Sequence, residues 1–242
     1  MTGYCVRLDH RDEGGRPLVI RYQTNRTEGR RAMRVGIFGG TFDPVHYGHL
    51  LLAETCREQC RLDHVLFLPA AIPPHKQRWR LTPADRRLEM LRLAIAGHEA
   101  FAISEMEIQR GGVNYTVDTL TALREQRPLD ELFFLMGADS LRDLPMWRQA
   151  ARVCELAVPV VVRRRDTPEP DFGTLAGLVS DARLQEIRRH QVQMPLVEFS
   201  STAIRQAVAE ARTIRYQTPR AVEKYIQTQG LYRDSLLSVG CP

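Results

Sequence analysis

The chain has 242 residues, is 43% hydrophobic and carries a net charge of +5, which suits one sizeable α/β domain of globular composition. No run approaches the ~20 apolar residues of a membrane span, and the polar opening MTGYCVRLDHRDEGG lacks the apolar core of a signal peptide, so a cytoplasmic protein is expected. Seven arginines against four acids sit in residues 1–33; the rest is nearly neutral, and charge does not demand a nucleic-acid surface. Five cysteines (5, 56, 60, 154 and 241) form no CxxC pair, which argues against a zinc site. Cys56 and Cys60 share a helix face and read as reduced thiols, with a redox pair as the alternative.

In chain order, residues 1–33 read as a poorly ordered extension, with Met33 as an alternative start and a functional arm as the other reading. One domain, 34–233, follows, and 234–242 form a tail. The first strand runs from Arg34 to Phe38 and the first helix from Tyr47 to Gln59. Val65 to Leu68 is the second strand, and a loop spans Ala70 to Leu81. Thr82-Pro83-Ala84-Asp85 opens a helix that ends near Gly97. Phe101 to Ile103 is a short strand, which the alternating Met106 and Ile108 extend. Tyr115 to Gln126 is an amphipathic helix, and the apolar Leu132 to Met136 a central parallel strand. Next come a helical stretch over Trp147 to Glu155 and a strand over Leu156 to Val162, weakened by Pro159. A helix within 171–190, a last short strand at Val197 to Phe199, and helices at Ser200 to Ala209 and Thr218 to Gln229 close the chain. Strands alternating with helices predict a Rossmann-like, doubly wound parallel sheet with helices on both faces.

The most informative stretch is GIFGGTFDPVHYGHL, Gly36 to Leu50. A β-branched and apolar strand meets Gly39 and Gly40, a polar turn follows, and His46 and His49 share one face of a helix start. Unpaired N–H groups and the positive dipole end gather there, which makes a phosphate site. There is no Walker A or GxGxxG pattern, so P-loop and dinucleotide dehydrogenase chemistry are disfavoured.

His46-Tyr47-Gly48-His49 resembles the HxGH motif of the nucleotidylyltransferase superfamily. LPAAIPPHK (Leu68 to Lys76), GGVNYTVDTL (Gly111 to Leu120), FFLMGADSLRDLPMWR (Phe133 to Arg148) and FSSTAIRQAV with IRYQTPRAVEKYIQTQGLY together resemble bacterial nicotinate-nucleotide adenylyltransferases across 34–233. The resemblance implies transfer of the adenylyl group of ATP to nicotinate mononucleotide, in NAD biosynthesis. Catalysis would rest on positioning and charge stabilisation, because a phosphate nucleophile is already ionised.

By that resemblance His46 and His49 contact the triphosphate, with His49 at the pentavalent centre. Ser201, Thr202 and Arg205 hold the β- and γ-phosphates, although Ser200 or Ser201 alone reads as an N-cap. Ile37, Phe38, Gly39 and Gly40 line the adenosine, Asp139 after Gly137 bonds the ribose, and Arg163 or Arg164 caps the adenine. Lys76 reaches the acceptor phosphate, or is a solvated surface lysine. Tyr115, Thr116 and Trp147 form the acceptor pocket, with Trp147 stacked on the pyridine ring. Arg148 stands where family members often carry a second aromatic. Mg²⁺ arrives bound through ATP and water, with no metal site on the protein; Asp43 either orients that ion or stabilises its own turn. Neither nucleic acid nor membrane is an expected partner, and oligomeric state is left open. The rival readings are an enzyme that prefers nicotinamide mononucleotide or another phosphorylated acceptor, and a non-catalytic nucleotide-binding regulator.

Overall fold

The computed structural model describes residues 31–72, 81–165 and 167–233. The expected extension, apart from its last residues, and the tail lie outside them. Six parallel strands form one sheet: β1 (Arg34–Gly40), β2 (His64–Pro69), β3 (Phe101–Ile103), β4 (Glu131–Gly137), β5 (Val158–Arg164) and β6 (Gln191–Met194). Their order is β3-β2-β1-β4-β5-β6. The direction of winding reverses between β1 and β4, which pair from Arg34↔Glu131 to Ile37↔Phe134. In such sheets that reversal opens a crevice beyond the carboxyl ends of the strands.

The helices are α1 (Tyr47–Gln59), α2 (Ala84–Ile95), α3 (Met106–Arg110), α4 (Thr116–Gln126), α5 (Ala138–Asp143), α6 (Ala150–Leu156), α7 (Asp181–Arg189), α8 (Ser201–Ala209) and α9 (Arg220–Thr228). α4 packs against α6, and α2 against α9, as helices covering a parallel sheet do. One apolar core runs from Val35 and Ile37 through Phe133 and Leu135 to Val160 and Val162. At Gly36 a Cβ would lie 2.8 Å from Leu62 Cδ1 and 3.3 Å from both Leu135 Cδ1 and Val65 Cγ2, so the central strand has no room for a side chain there.

The structure corrects three expectations. Residues 106–110 are α3 rather than a strand extension: Glu107 turns inward to accept from Thr119 Oγ1 at 2.8 Å, so the apparent period-two pattern was misleading. The last strand is not Val197 to Phe199 but β6, where Val192 and Met194 are buried, Gln191 is half-covered and Gln193 is exposed. Trp147 does not begin a helix; it follows a 3₁₀ turn at Leu144–Met146, and α6 starts three residues later. The helix expected within 171–190 is α7, preceded by a 3₁₀ turn at Phe172–Leu175. Pro159 is accommodated because β5 pairs with β6 only from Val161 onward, so the proline has a neighbouring strand on one side alone.

Gly36→Ala should therefore destabilise the domain by about 1–3 kcal/mol, the usual cost of overpacking. Thermal unfolding monitored by circular dichroism should show a Tm several degrees lower, and an unchanged Tm would mean that Leu62 and its neighbours yield freely.

Candidate active site

The turn between β1 and α1 is held by donors from distant parts of the chain. Arg87 Nη1 donates to the Thr41 carbonyl at 2.8 Å. Arg205 Nη1 donates to the Asp43 carbonyl at 2.7 Å. Ser201 Oγ donates to the Pro44 carbonyl and Thr218 Oγ1 to the Val45 carbonyl, each at 2.8 Å. The Asp43 carboxylate accepts from Tyr232 O–H at 2.6 Å on one oxygen and from Thr82 N–H at 3.1 Å on the other. Burial and the neighbouring Asp43 carboxylate push the Tyr232 phenol well above its usual pKa, which keeps it a donor. Both Asp43 oxygens thus serve the turn, and of its two expected roles the structure favours the turn-stabilising one.

With its carbonyls satisfied, the turn delivers His46 as N-cap of α1. The His46 N–H donates to His49 Nδ1 at 3.2 Å, so a neutral His49 carries its proton on Nε2. The rings stack with centroids 3.7 Å apart and planes 21° apart. Phe42 meets the His49 ring edge-on at 5.1 Å. Gly48 is needed for close approach: a Cβ there would come within 3.1 Å of His46 Nδ1 and Cε1. His46 is only 6% exposed, and its Nδ1 is buried without a hydrogen-bond partner among the described residues. Burial first, then the positive charge of Arg164, lowers its pKa from 6.5 to about 4, so His46 is neutral at physiological pH.

Two cavities open at the carboxyl end of the sheet. The larger, about 1030 Å³, is lined by His46, His49, Asp139, Arg164, Thr202 and Arg205 among others. The smaller, about 450 Å³, is lined by Ile37, Phe38, Gly39, Gly40, Tyr115, Thr116 and Trp147 among others. They share Thr41 and Gly137, at the ends of β1 and β4, where the winding reverses. In the smaller one Trp147 stands edge-on to Phe134 at 5.9 Å. Just before its lining residues Asn114 and Tyr115 come Gly111 and Gly112, with φ of +68° and +62°, where a residue with a Cβ would be strained. The Asn114 amide donates to both their carbonyls, at 3.3 and 3.0 Å.

The expected residues divide accordingly. The histidines, Gly137, Asp139, Ser201, Thr202 and Arg205 come together at the larger cavity, while Ile37 to Gly40 line the smaller one, on the side of the acceptor residues. Asp139 is fully exposed and paired with Arg142 at 3.0 Å. Arg163 is turned to Glu169; Arg164, the next residue along β5, lines the large cavity instead. Ser200 is the α8 N-cap, accepting from Ala203 N–H at 3.1 Å. Lys76 lies outside the described residues. Arg87 gave no signal in local sequence, because tertiary folding brings it to the turn; Asn114 and Tyr232 lie inside the quoted motifs but carried no role of their own there.

Residues 37–207 match the cytidylyltransferase-like family. A probable nicotinate-nucleotide adenylyltransferase of Thermomicrobium roseum is 50% identical over 83% of this chain and 92% of its own length. One from Thermus thermophilus is 45% identical over 83% of this chain and all of its own. The chain belongs to the nicotinate-nucleotide adenylyltransferase family. The fold also matches a Plasmodium falciparum nicotinic acid mononucleotide adenylyltransferase complexed with NaAD, with a TM-score of 0.66 and 16% identity, over 84% of this chain and 99% of that one. Among the described residues, no helix is long and apolar enough to cross a membrane.

Two outcomes follow from this geometry. The unfolded chain protonates His46 near pH 6.5 and the folded one near 4, so the unfolded state binds more protons between these values. Its contribution to stability is present above pH 6.5 and is lost as pH falls toward 4, by about 3 kcal/mol at ~1.4 kcal/mol per unit. Urea unfolding across pH 4–8 should show this slope in the wild type and a shallower one in His46→Gln; equal slopes would assign the titration elsewhere. Tyr232→Phe leaves a buried Asp43 oxygen without its donor, which costs about 1–3 kcal/mol. The same unfolding experiment at pH 7 should show this loss, and unchanged stability would mean that Asp43 finds another donor.

Proposed function

We propose that the protein transfers the adenylyl group of ATP to the phosphate of nicotinate mononucleotide, releasing pyrophosphate, as a cytoplasmic step of NAD biosynthesis. The observation that carries this reading is the meeting of two cavities at Thr41 and Gly137, with the HxGH histidines lining the larger. The reaction needs two anionic reactants brought end to end, and the sheet's switch point supplies that junction. The chain's membership of a nicotinate-nucleotide adenylyltransferase family supports the acid mononucleotide as acceptor.

ATP enters the larger cavity as its Mg²⁺ complex, with the ion held by the triphosphate and water. A phosphate oxygen of the acceptor bonds to the α-phosphorus while the bond from that phosphorus to the bridging oxygen of pyrophosphate breaks. The acceptor phosphate is already ionised near neutral pH, since its second pKa is about 6, so no strong base is required. His49 donates its Nε2 proton as a hydrogen bond to an oxygen of the α-phosphate, and the N-terminus of α1 adds its dipole. His46 stays neutral, holds His49 by stacking and through its N–H, and keeps a buried nitrogen beside the phosphate. Arg164, Thr202 and Arg205 face the β- and γ-phosphates. Trp147, Tyr115 and Thr116 hold the pyridine end of the acceptor.

The test is pyrophosphate release with ATP and Mg²⁺, comparing nicotinate and nicotinamide mononucleotides. The acid should turn over much faster. His49→Ala should lower kcat by about 10²–10³, the usual loss for a donor aimed at developing charge, with circular dichroism unchanged. Equal rates with both mononucleotides would overturn the acceptor assignment, and a fully active His49→Ala would remove the histidine from the chemistry.

A further inference from the structure

The smaller cavity contains one cation among its described lining residues, Arg148, and one carboxyl, Glu107. Glu107 is committed to the fold: it accepts from Thr119 Oγ1 at 2.8 Å, and burial raises its pKa. Arg148 is placed differently. Its guanidinium carbon sits 4.8 Å from the centroid of the Tyr115 ring, which holds the planar group against an aromatic face that also lines the cavity. Its nearest acid is Asp118, with Nη1 to Oδ2 at 3.8 Å, beyond hydrogen-bond length. The guanidinium is thus oriented by an aromatic face, while its fork of donors is not consumed by a tight ion pair.

Asp118 adds a second argument. It lies in the first turn of α4, beside Thr116. A carboxylate bound at that helix start would gain from the dipole and lose from the negative charge of Asp118. Arg148, beside Asp118, offsets that repulsion.

We infer that Arg148 is the specificity-determining side chain of the acceptor cavity, selecting a mononucleotide whose ring bears a carboxylate over one bearing a carboxamide. This rests on the proposed adenylyl transfer and adds to it the residue that makes the choice. The two acceptors share ribose and phosphate and differ by one negative charge at the ring, which a neighbouring guanidinium reads directly. Arg148 is half exposed, so water moderates the effect to about tenfold.

The experiment compares wild type, Arg148→Met and Arg148→Lys with both mononucleotides, by steady-state pyrophosphate release and by calorimetric binding. For Arg148→Met, kcat/KM with nicotinate mononucleotide should fall about tenfold, mainly through KM, equivalent to ~1.4 kcal/mol. The value with nicotinamide mononucleotide should stay within about twofold and KM for ATP should not move, as charge selection requires. Arg148→Lys should keep part of the preference. Parallel losses with both acceptors would mean that Arg148 only shapes the wall, and an unchanged preference would remove it from recognition; either result overturns the inference. A wild type that releases pyrophosphate with neither mononucleotide would overturn the adenylyl-transfer reading instead. The binding measurement still decides Arg148 in that case: an acid preference abolished in Arg148→Met supports it, and equal affinities in the wild type sink it.

Discussion

Everything at the site depends on where the carbonyls of the turn after β1 point. Thr41, Asp43, Pro44 and Val45 each give their carbonyl oxygen to a side-chain donor. A buried carbonyl without a partner is costly, so these four donors fix the turn in one orientation. The negative ends of its peptide dipoles are thereby spent on protein groups. The positive start of α1 and two stacked imidazoles are left to line a cavity suited to an anion.

The same arrangement sets a neutral His46 beside two arginines in one cavity. His46 is sealed beneath its partner ring and beside Arg164, and both effects disfavour its protonation. Arg164 and Arg205 line the same cavity as fixed charges. Within it His46 stays neutral across the physiological range, because burial disfavours its charged form.

Much of the fold was legible because it is written locally. The apolar run Leu132 to Met136 could only be a buried strand, and the glycine-rich end of β1 followed by a paired-histidine helix start carries its own chemistry. Short amphipathic pieces were not legible. Gln191 to Met194 alternates over four residues at a sheet edge, too few to outweigh its polar neighbours. In α3 a buried glutamate sits where a hydrophobic pattern expects an apolar side chain. Arg163 and Arg164 were indistinguishable in sequence, and only the pairing of Arg163 with Glu169 separates them. Arg87 and Tyr232 are the clearest case. Each is an ordinary helix or terminal residue in sequence, and each acquires its role from a contact spanning 46 and 189 positions respectively.

Those long spans bear on how the protein becomes active as it is made. The strand, turn and helix bearing the histidines are synthesised early, but Ser201, Arg205, Thr218 and Tyr232 come late in the chain. Until they emerge from the ribosome, three of the four carbonyls and one oxygen of the Asp43 carboxylate lack their donors, and the turn is not yet held in its final shape. The final shape of the turn is therefore acquired near the end of synthesis rather than progressively. A nascent or C-terminally clipped chain would hold a nearly complete sheet around a turn that lacks most of its donors.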